Sequence, residues 1–319
     1  MSNYVVCVTD ARHHDYCIER RMLETIGAEL RICQCKTSND VVKNCADADG
    51  ILLDLVPMDA RAICALHRCK VINRYGVGYD NVDIPAATAK GIQVTNVPDY
   101  CMEDVSDHAL ALLLSCLRNI ALRDRGIRDG QWNIPARSFR LAGKTLGIIG
   151  FGRVARTLAR KCSGFGLKKV LIYDPYVSSN ICKEYQVESV PLKILLQESD
   201  FISLHMPVTD ETRGMLDSEK ISWMKPSAIL INTSRGALID DKALVCALRQ
   251  HAILAAGLDT HNFEPLPQDS PYLTLDNVIL TDHIAYNTVE GLAELKQKSA
   301  QNIIDVLMGR IPQYRVNFL

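Results

Sequence analysis

The chain reads as an α/β protein built from two parallel-sheet units, and three observations predict this. Apolar runs of strand length alternate with amphipathic segments along most of the 319 residues. One run leads straight into a glycine-rich turn that opens a helix. After the turn-rich loop GQWNIPARSFRLAGK (130–144) the alternation starts again, giving two series rather than one.

In the first series the strand candidates are YVVCV (4–8), ELRIC (29–33), GILLD (50–54), KVINR (70–74) and IQVTN (92–96). Ile18, Met22 and Ile26 between the first two give one apolar helical face. Strands alternating with helices imply parallel sheets covered on both faces. Pro98 marks a break before a helix from about Met102 to Arg125, whose segment VSDHALALLLSCL is apolar nearly all round and is expected to lie buried between two layers. The second series offers TLGIIG (145–150), KVLIYD (169–174), FISLHM (201–206), AILINT (228–233), LAAGLD (254–259) and NVILT (277–281). A helix over 288–308 and a short tail close the chain, and the helix is expected to return to the first unit.

Bulk properties exclude several function classes. Apolar residues make up 48% and charged residues 23%, as in ordinary globular proteins, and 36 basic residues balance 37 acidic ones. That balance argues against nucleic acid or a membrane surface as a partner recruited by bulk charge. The longest purely apolar run, Ala109 to Leu114, is too short to span a bilayer. The 12 cysteines are scattered without C-x-x-C pairs, and the N-terminus lacks a signal-like core. Reduced thiols, a cytoplasmic location and no metal are therefore expected.

GKTLGIIGFGRVAR places Gly150, Gly152, Arg153 and Val154 between a strand and a helix, with Ala155 at the third small position. Such a turn brings backbone amides and the positive end of a helix against a pyrophosphate. Asp174 closes the next strand, where a carboxylate meets the adenosine ribose hydroxyls and repels the extra phosphate of NADP. NAD is the expected cofactor. The plainer alternative is a strand-to-helix turn without a ligand.

Arg235, Glu264 and His283 follow strand candidates of the second series, and ligands of open α/β sheets sit beyond such strand ends. Singly, each has a bland alternative: a surface ion pair, a solvated loop acid before Pro265, a histidine that caps a loop. Together they suit hydride transfer to a 2-keto acid. A guanidinium forks onto the carboxylate and carbonyl oxygens. An imidazolium delivers the proton, and a carboxylate on its other nitrogen fixes the ring and favours its charged form.

RYGVGYDNVDIPAATAKGIQVTNVP (74–98), GKTLGIIGFGRVA (143–155), NTSRGALID (232–240), GLDTHNFEP (257–265) and TDHIA (281–285) occur in the order found in the D-isomer-specific 2-hydroxyacid dehydrogenases, which the chain resembles over nearly its whole length. The resemblance implies a Rossmann NAD-binding domain over 98–286 inserted in a flavodoxin-like substrate domain of 1–97 and 287–319. It puts Arg235, Glu264 and His283 on the family's Arg-Glu-His positions. The turn Gly76-Val77-Gly78 would receive the substrate carboxylate, and Arg74 matches an arginine of the phosphoglycerate dehydrogenases. Asp259 would hold the nicotinamide carboxamide, His205 and Pro207 would line the adenine side, and Thr233 would sit on the cofactor side. A homodimer through the nucleotide domain is implied as well.

Two features depart from the common pattern or refine it. Asp282 stands where the family usually has Pro, either adding charge beside His283 or facing solvent. Tyr286 aligns with an aromatic near the substrate in bacterial relatives of the C-terminal-binding proteins, which suggests a substrate with some apolar bulk; otherwise it packs on its own helix. Glu264 argues against formate, since formate dehydrogenases of the superfamily carry Gln there. The leading expectation is an NAD(H)-dependent D-2-hydroxyacid dehydrogenase acting on a small 2-hydroxy or 2-keto acid. The alternative is an NADH-sensing scaffold or corepressor. Hinges for domain closure are expected near Val97-Pro98 and Tyr286-Asn287, and His13 and His14 are either cleft residues or solvated loop residues.

Overall fold

The computed structural model describes residues 4–11 and 15–319, so His13 and His14 lie outside the described residues. It divides into two compact units, Met1–Tyr100 with Thr288–Leu319, and Cys101–Asn287.

The first unit holds β1 (Tyr4–Val8), β2 (Ala28–Ile32), β3 (Gly50–Leu53), β4 (Val71–Arg74) and β5 (Gln93–Thr95). All pair in parallel, in the order β2-β1-β3-β4-β5, which is the flavodoxin-like arrangement. The central strand β3 is buried at every residue, as a strand covered on both faces must be. The intervening helices start where side chains replace missing backbone partners. Thr37 and Asp40 form a capping box on the helix Ser38–Asn44, and Asp59 and Asp83 cap the next two.

The chain's last helix, Val289–Leu307, completes this unit and packs on β3 and β4. Gly50 leaves room for it, since a Cβ there would lie 3.2 Å from a methyl of Ile303. Asn302 ties the helix to the sheet by donating to Oδ1 of Asn73 at 2.9 Å and to the carbonyl of Asn96 at 3.1 Å. Both bonds are buried, where an unpaired amide would be costly.

The second unit holds β6 (Thr145–Ile149), β7 (Lys169–Tyr173), β8 (Glu188–Ser189), β9 (Phe201–Leu204), β10 (Ile229–Asn232), β11 (Ala255–Leu258) and β12 (Val278–Leu280). They form one parallel sheet in the order β12-β11-β10-β9-β6-β7-β8. The chain runs outward from β6 to β8, then crosses back to β9 and continues to β12. The carboxyl ends of β6 and β9 therefore flank the switch point where such sheets bind ligands. One core cluster contains Leu195, Leu216, Leu244 and Leu248, and another contains Leu112, Leu113, Phe151 and Leu158.

The helix read as continuous to Arg125 is in fact two, Met102–Arg118 and Ile120–Arg128, bent by 62°. Asn119 stands between them in the left-handed region (φ 53°), which short polar side chains tolerate. Nor is the first piece buried all round. Ser106, Ala109, Leu112, Leu113, Cys116 and Leu117 form one buried stripe against β10 and β11. Gly257 of β11 permits the approach, because a Cβ would lie 3.0 Å from that of Leu112. Among the described residues no single helix is long and apolar enough to cross a membrane.

Candidate active site

The turn after β6 is shaped by two glycines with different duties. Gly150 has φ +83°, and a Cβ on it would stand 2.6 Å from the carbonyl oxygen of His205, so any side chain is excluded. Gly152 precedes the helix Arg153–Cys162, which has no side-chain cap, and a Cβ on Gly152 would meet nothing within 4 Å. Uncapped amides at Arg153 and Val154 thus face open space, which is what a pyrophosphate at a helix N-terminus requires. Ala155 is fully buried beneath the turn. Asp174, at the end of β7, accepts the amide of Phe151 at 2.7 Å and that of Tyr176 at 2.9 Å, which holds the turn against the neighbouring strand.

His205 and Pro207 follow β9. The His205 ring is 2.8 Å from Oγ of Ser203, and burial pushes its pKa down to about 4, so the imidazole is neutral. Pro207 is exposed. Thr233, after β10, is nearly buried, and its hydroxyl has no partner among the described residues, which leaves a polar contact for a bound group. The residues around β6, β7, β9 and β10 fit NAD.

Arg235 lies two residues past Thr233, in a turn held by Asn232: its Nδ2 donates to the Arg235 carbonyl at 2.8 Å, and its Oδ1 accepts from the Ser234 amide at 3.0 Å. The guanidinium donates to the carbonyl of Ser234 at 2.7 Å. A Cβ on Gly236 would run into the backbone of His261 and Asn262, so glycine lets the loop after β11 lie directly against the Arg235 turn.

That loop carries Glu264. One carboxylate oxygen accepts the amide of His261 at 3.0 Å, and the other lies 2.7 Å from Nδ1 of His283, in the loop after β12. Burial raises the Glu264 pKa, but the His283 ring and the His261 amide outweigh it and hold the carboxyl below its usual value. The Arg235 turn, the Glu264 loop and His283 therefore form one contiguous surface beyond the adjacent strands β10, β11 and β12. The Asp282 side chain is exposed, and the Tyr286 ring stands edge-on to His283 at 6.3 Å.

Sequence reasoning missed what positions His283. The histidine sits in the left-handed region (φ +57°), and its amide donates to the Asp259 carbonyl at 2.8 Å. The Asp259 carboxylate, with no exposed surface, accepts from Ile284 and Ala285 amides at 3.0 Å and from the Thr281 hydroxyl at 2.6 Å. His108 Nε2 lies 3.4 Å from the same carboxylate and 3.0 Å from the Thr281 hydroxyl. Burial raises the Asp259 pKa, yet His108, Thr281 and the two amides prevail and hold it at about 2. Asp259 thus clamps the loop that bears His283, with His108 behind it. His108 was hidden in an apolar helical run, whereas the glycine turn and the strand-end residues were legible as patterns.

In the first unit Arg74 ends β4, 3.9 Å from Oδ1 of Asp54, with its guanidinium folded over Gly76 (φ +131°). Val97 donates to the Gly76 carbonyl at 2.9 Å, and Asn96 to the Val77 carbonyl at 2.6 Å. Val77 is exposed, and among the described residues no group accepts from the amides of Val77 or Gly78.

The parallel sheet, the uncapped glycine turn and the buried hydroxyl of Thr233 are those of a dinucleotide-binding domain. The family model for the D-isomer-specific 2-hydroxyacid dehydrogenase NAD-binding domain matches residues 110–285. A glyoxylate reductase from Korarchaeum cryptofilum is 41% identical over 281 residues, covering 86% of this chain and 84% of that protein. A D-3-phosphoglycerate dehydrogenase from Methanocaldococcus jannaschii is 37% identical over 315 residues, covering 98% of this chain but 59% of the longer relative. The crystal structure of D-lactate dehydrogenase from Aquifex aeolicus with NAD and lactic acid superposes with a TM-score of 0.85 at 28% identity, over 98% of both chains. The chain belongs to the D-isomer-specific 2-hydroxyacid dehydrogenases and is an NAD-dependent enzyme.

Proposed function

We propose that the enzyme interconverts a small D-2-hydroxy acid and its 2-keto acid, with Arg235, Glu264 and His283 as its chemical set. The observation that carries this reading is the 2.7 Å contact between Nδ1 of His283 and Glu264. It commits one ring nitrogen to the carboxylate and leaves Nε2 to work on substrate. NAD, when bound, supplies or accepts the hydride.

Arg235 binds the carboxylate and carbonyl oxygens through its fork of donors. His283 gives its proton to the carbonyl oxygen in reduction and takes one from the hydroxyl in oxidation. Glu264, held ionised, fixes the ring through this contact. Within the first unit, the amides of Val77 and Gly78, without an acceptor among the described residues, support a substrate-binding role for this turn, with Arg74 beside it. Tyr286, edge-on to His283, supports a wall beside the substrate side chain. His205, Pro207 and Thr233 belong to the cofactor side, and Asp259 serves the site through the loop it clamps.

The name of the Korarchaeum relative makes glyoxylate the first acid to try, followed by pyruvate and keto acids with larger apolar side chains. NADH oxidation is measured across that panel for the parent, Arg235→Ala and His283→Ala. Unimpaired turnover in both variants refutes the assignment. The same reading takes the chain as a cytoplasmic homodimer through the nucleotide-binding unit, whose exposed Ile120, Ile127 and Trp132 offer apolar surface. Sedimentation velocity measures the state. No observation favours the scaffold alternative.

A further inference from the structure

Three cysteines far apart along the chain meet in the core of the first unit. Cys7 lies in β1, Cys33 directly follows β2, and Cys45 ends the helix Ser38–Asn44. The amide of Cys33 donates to the Val8 carbonyl at 2.9 Å, and that of Cys45 to the Val41 carbonyl at 2.9 Å, so both backbones are fixed. Cys7 and Cys45 have no exposed surface, and Cys33 has 8%. Their three Sγ atoms all lie within 4.8 Å of one another.

The spacing suits a shared cation better than a disulfide. Cys45 and Cys33 place their sulfurs 3.9 Å apart. A disulfide needs about 2.05 Å. Three sulfurs bonded to one cation at about 2.3 Å stand roughly 3.8 to 4.0 Å from each other, at tetrahedral or trigonal angles. The donor set is sulfur alone, which suits soft cations and not magnesium or calcium. Cys35, also buried in this core cluster, is a nearby further thiol.

We propose that Cys7, Cys33 and Cys45 form a trithiolate site for one soft d10 divalent cation of the zinc and cadmium class. Binding replaces three S–H protons by one cation, so up to three protons leave per ion and the centre carries a net charge of −1. The slightly exposed edge at Cys33 is the entry. A bound ion would link β1, the segment after β2 and the helix Ser38–Asn44, and the site shares no residue with Arg235, Glu264 and His283.

The test uses the full chain, reduced and anaerobic, with exposed Cys17, Cys64 and Cys246 changed to Ser to remove surface thiols. Cadmium is titrated while the thiolate-to-cadmium charge-transfer band, proton release and melting temperature are followed. The expected result is saturation at one cadmium per chain and a higher melting temperature. Cys33→Ala and Cys45→Ala, first checked by circular dichroism and NADH-dependent turnover, should each weaken binding at least tenfold. Alkylation of the otherwise unmutated cluster with mass spectrometry guards against variants that misfold: cadmium should shield Cys33, which keeps some exposed surface. The proposal fails if no stoichiometric band forms, if folded Cys33→Ala binds as well as its parent, or if alkylation is unchanged by cadmium.

Discussion

Nδ1 of His283 and Oε2 of Glu264 stand 2.7 Å apart although 18 residues of loop and strand separate them in the chain. Glu264→Gln keeps the shape of the pair and removes its charge. Turnover should fall by about 10²-fold or more, within the range for disrupted acid–base catalysis. Turnover equal to the parent's would show that the pair has no catalytic part.

In the proposed mechanism reduction consumes a proton from His283 and oxidation returns one to it. Keto-acid reduction should therefore be favoured at lower pH and hydroxy-acid oxidation at higher pH. Initial rates in both directions across the pH range test this. Coincident optima would remove His283 as the proton carrier.

Asp259 is held at about 2, below the roughly 3.9 of an unfolded aspartate. A carboxyl depressed in the folded state contributes stability above the unfolded value and loses it as pH falls through the folded one. The contribution is about 2 kcal/mol at neutral pH and disappears between about pH 4 and pH 2. Asp259→Asn should lower the unfolding midpoint at pH 7, with the gap to the parent narrowing over that acid window. It should also reduce turnover, because the His283 loop loses its clamp. Equal midpoints at pH 7 would contradict this account.

The glycines of the turn after β6 predict opposite failures. Gly150→Ala meets the His205 carbonyl at a backbone angle hostile to side chains, and should cost more than about 2 kcal/mol in stability. Gly152→Ala meets open space, so the fold should survive while KM for NADH rises. Thermal melts and NADH titration of the two proteins separate the cases.

Asp174→Asn retains an acceptor for the Phe151 amide but removes the negative charge. The preference for NADH over NADPH, compared as kcat/KM, should narrow by about tenfold or more, since like-charge contacts cost several kcal/mol.

The sequence exposes features that depend on local order. Strand runs such as YVVCV and TLGII, the glycine turn and the strand-end residues Arg235, Glu264 and His283 each obey a short-range rule. The kink at Asn119 is invisible because one left-handed residue leaves the apolar pattern intact. His108 escapes notice because its partners, Asp259 and Thr281, lie far along the chain. The thiols of Cys7, Cys33 and Cys45 are similarly obscure: parallel pairing of β1 and β2 brings them together, and no ligand spacing announces them.

Asn302 reaches from the helix Val289–Leu307 to Asn73 and Asn96, which are made before it, at sequence separations of 229 and 206. During synthesis the nucleotide-binding unit emerges whole, while the sheet that precedes it waits with the flank around Gly50 and Val71 uncovered. Translation order thus leaves this sheet open to chaperones and proteases until Ile303 and its neighbours arrive to cover it.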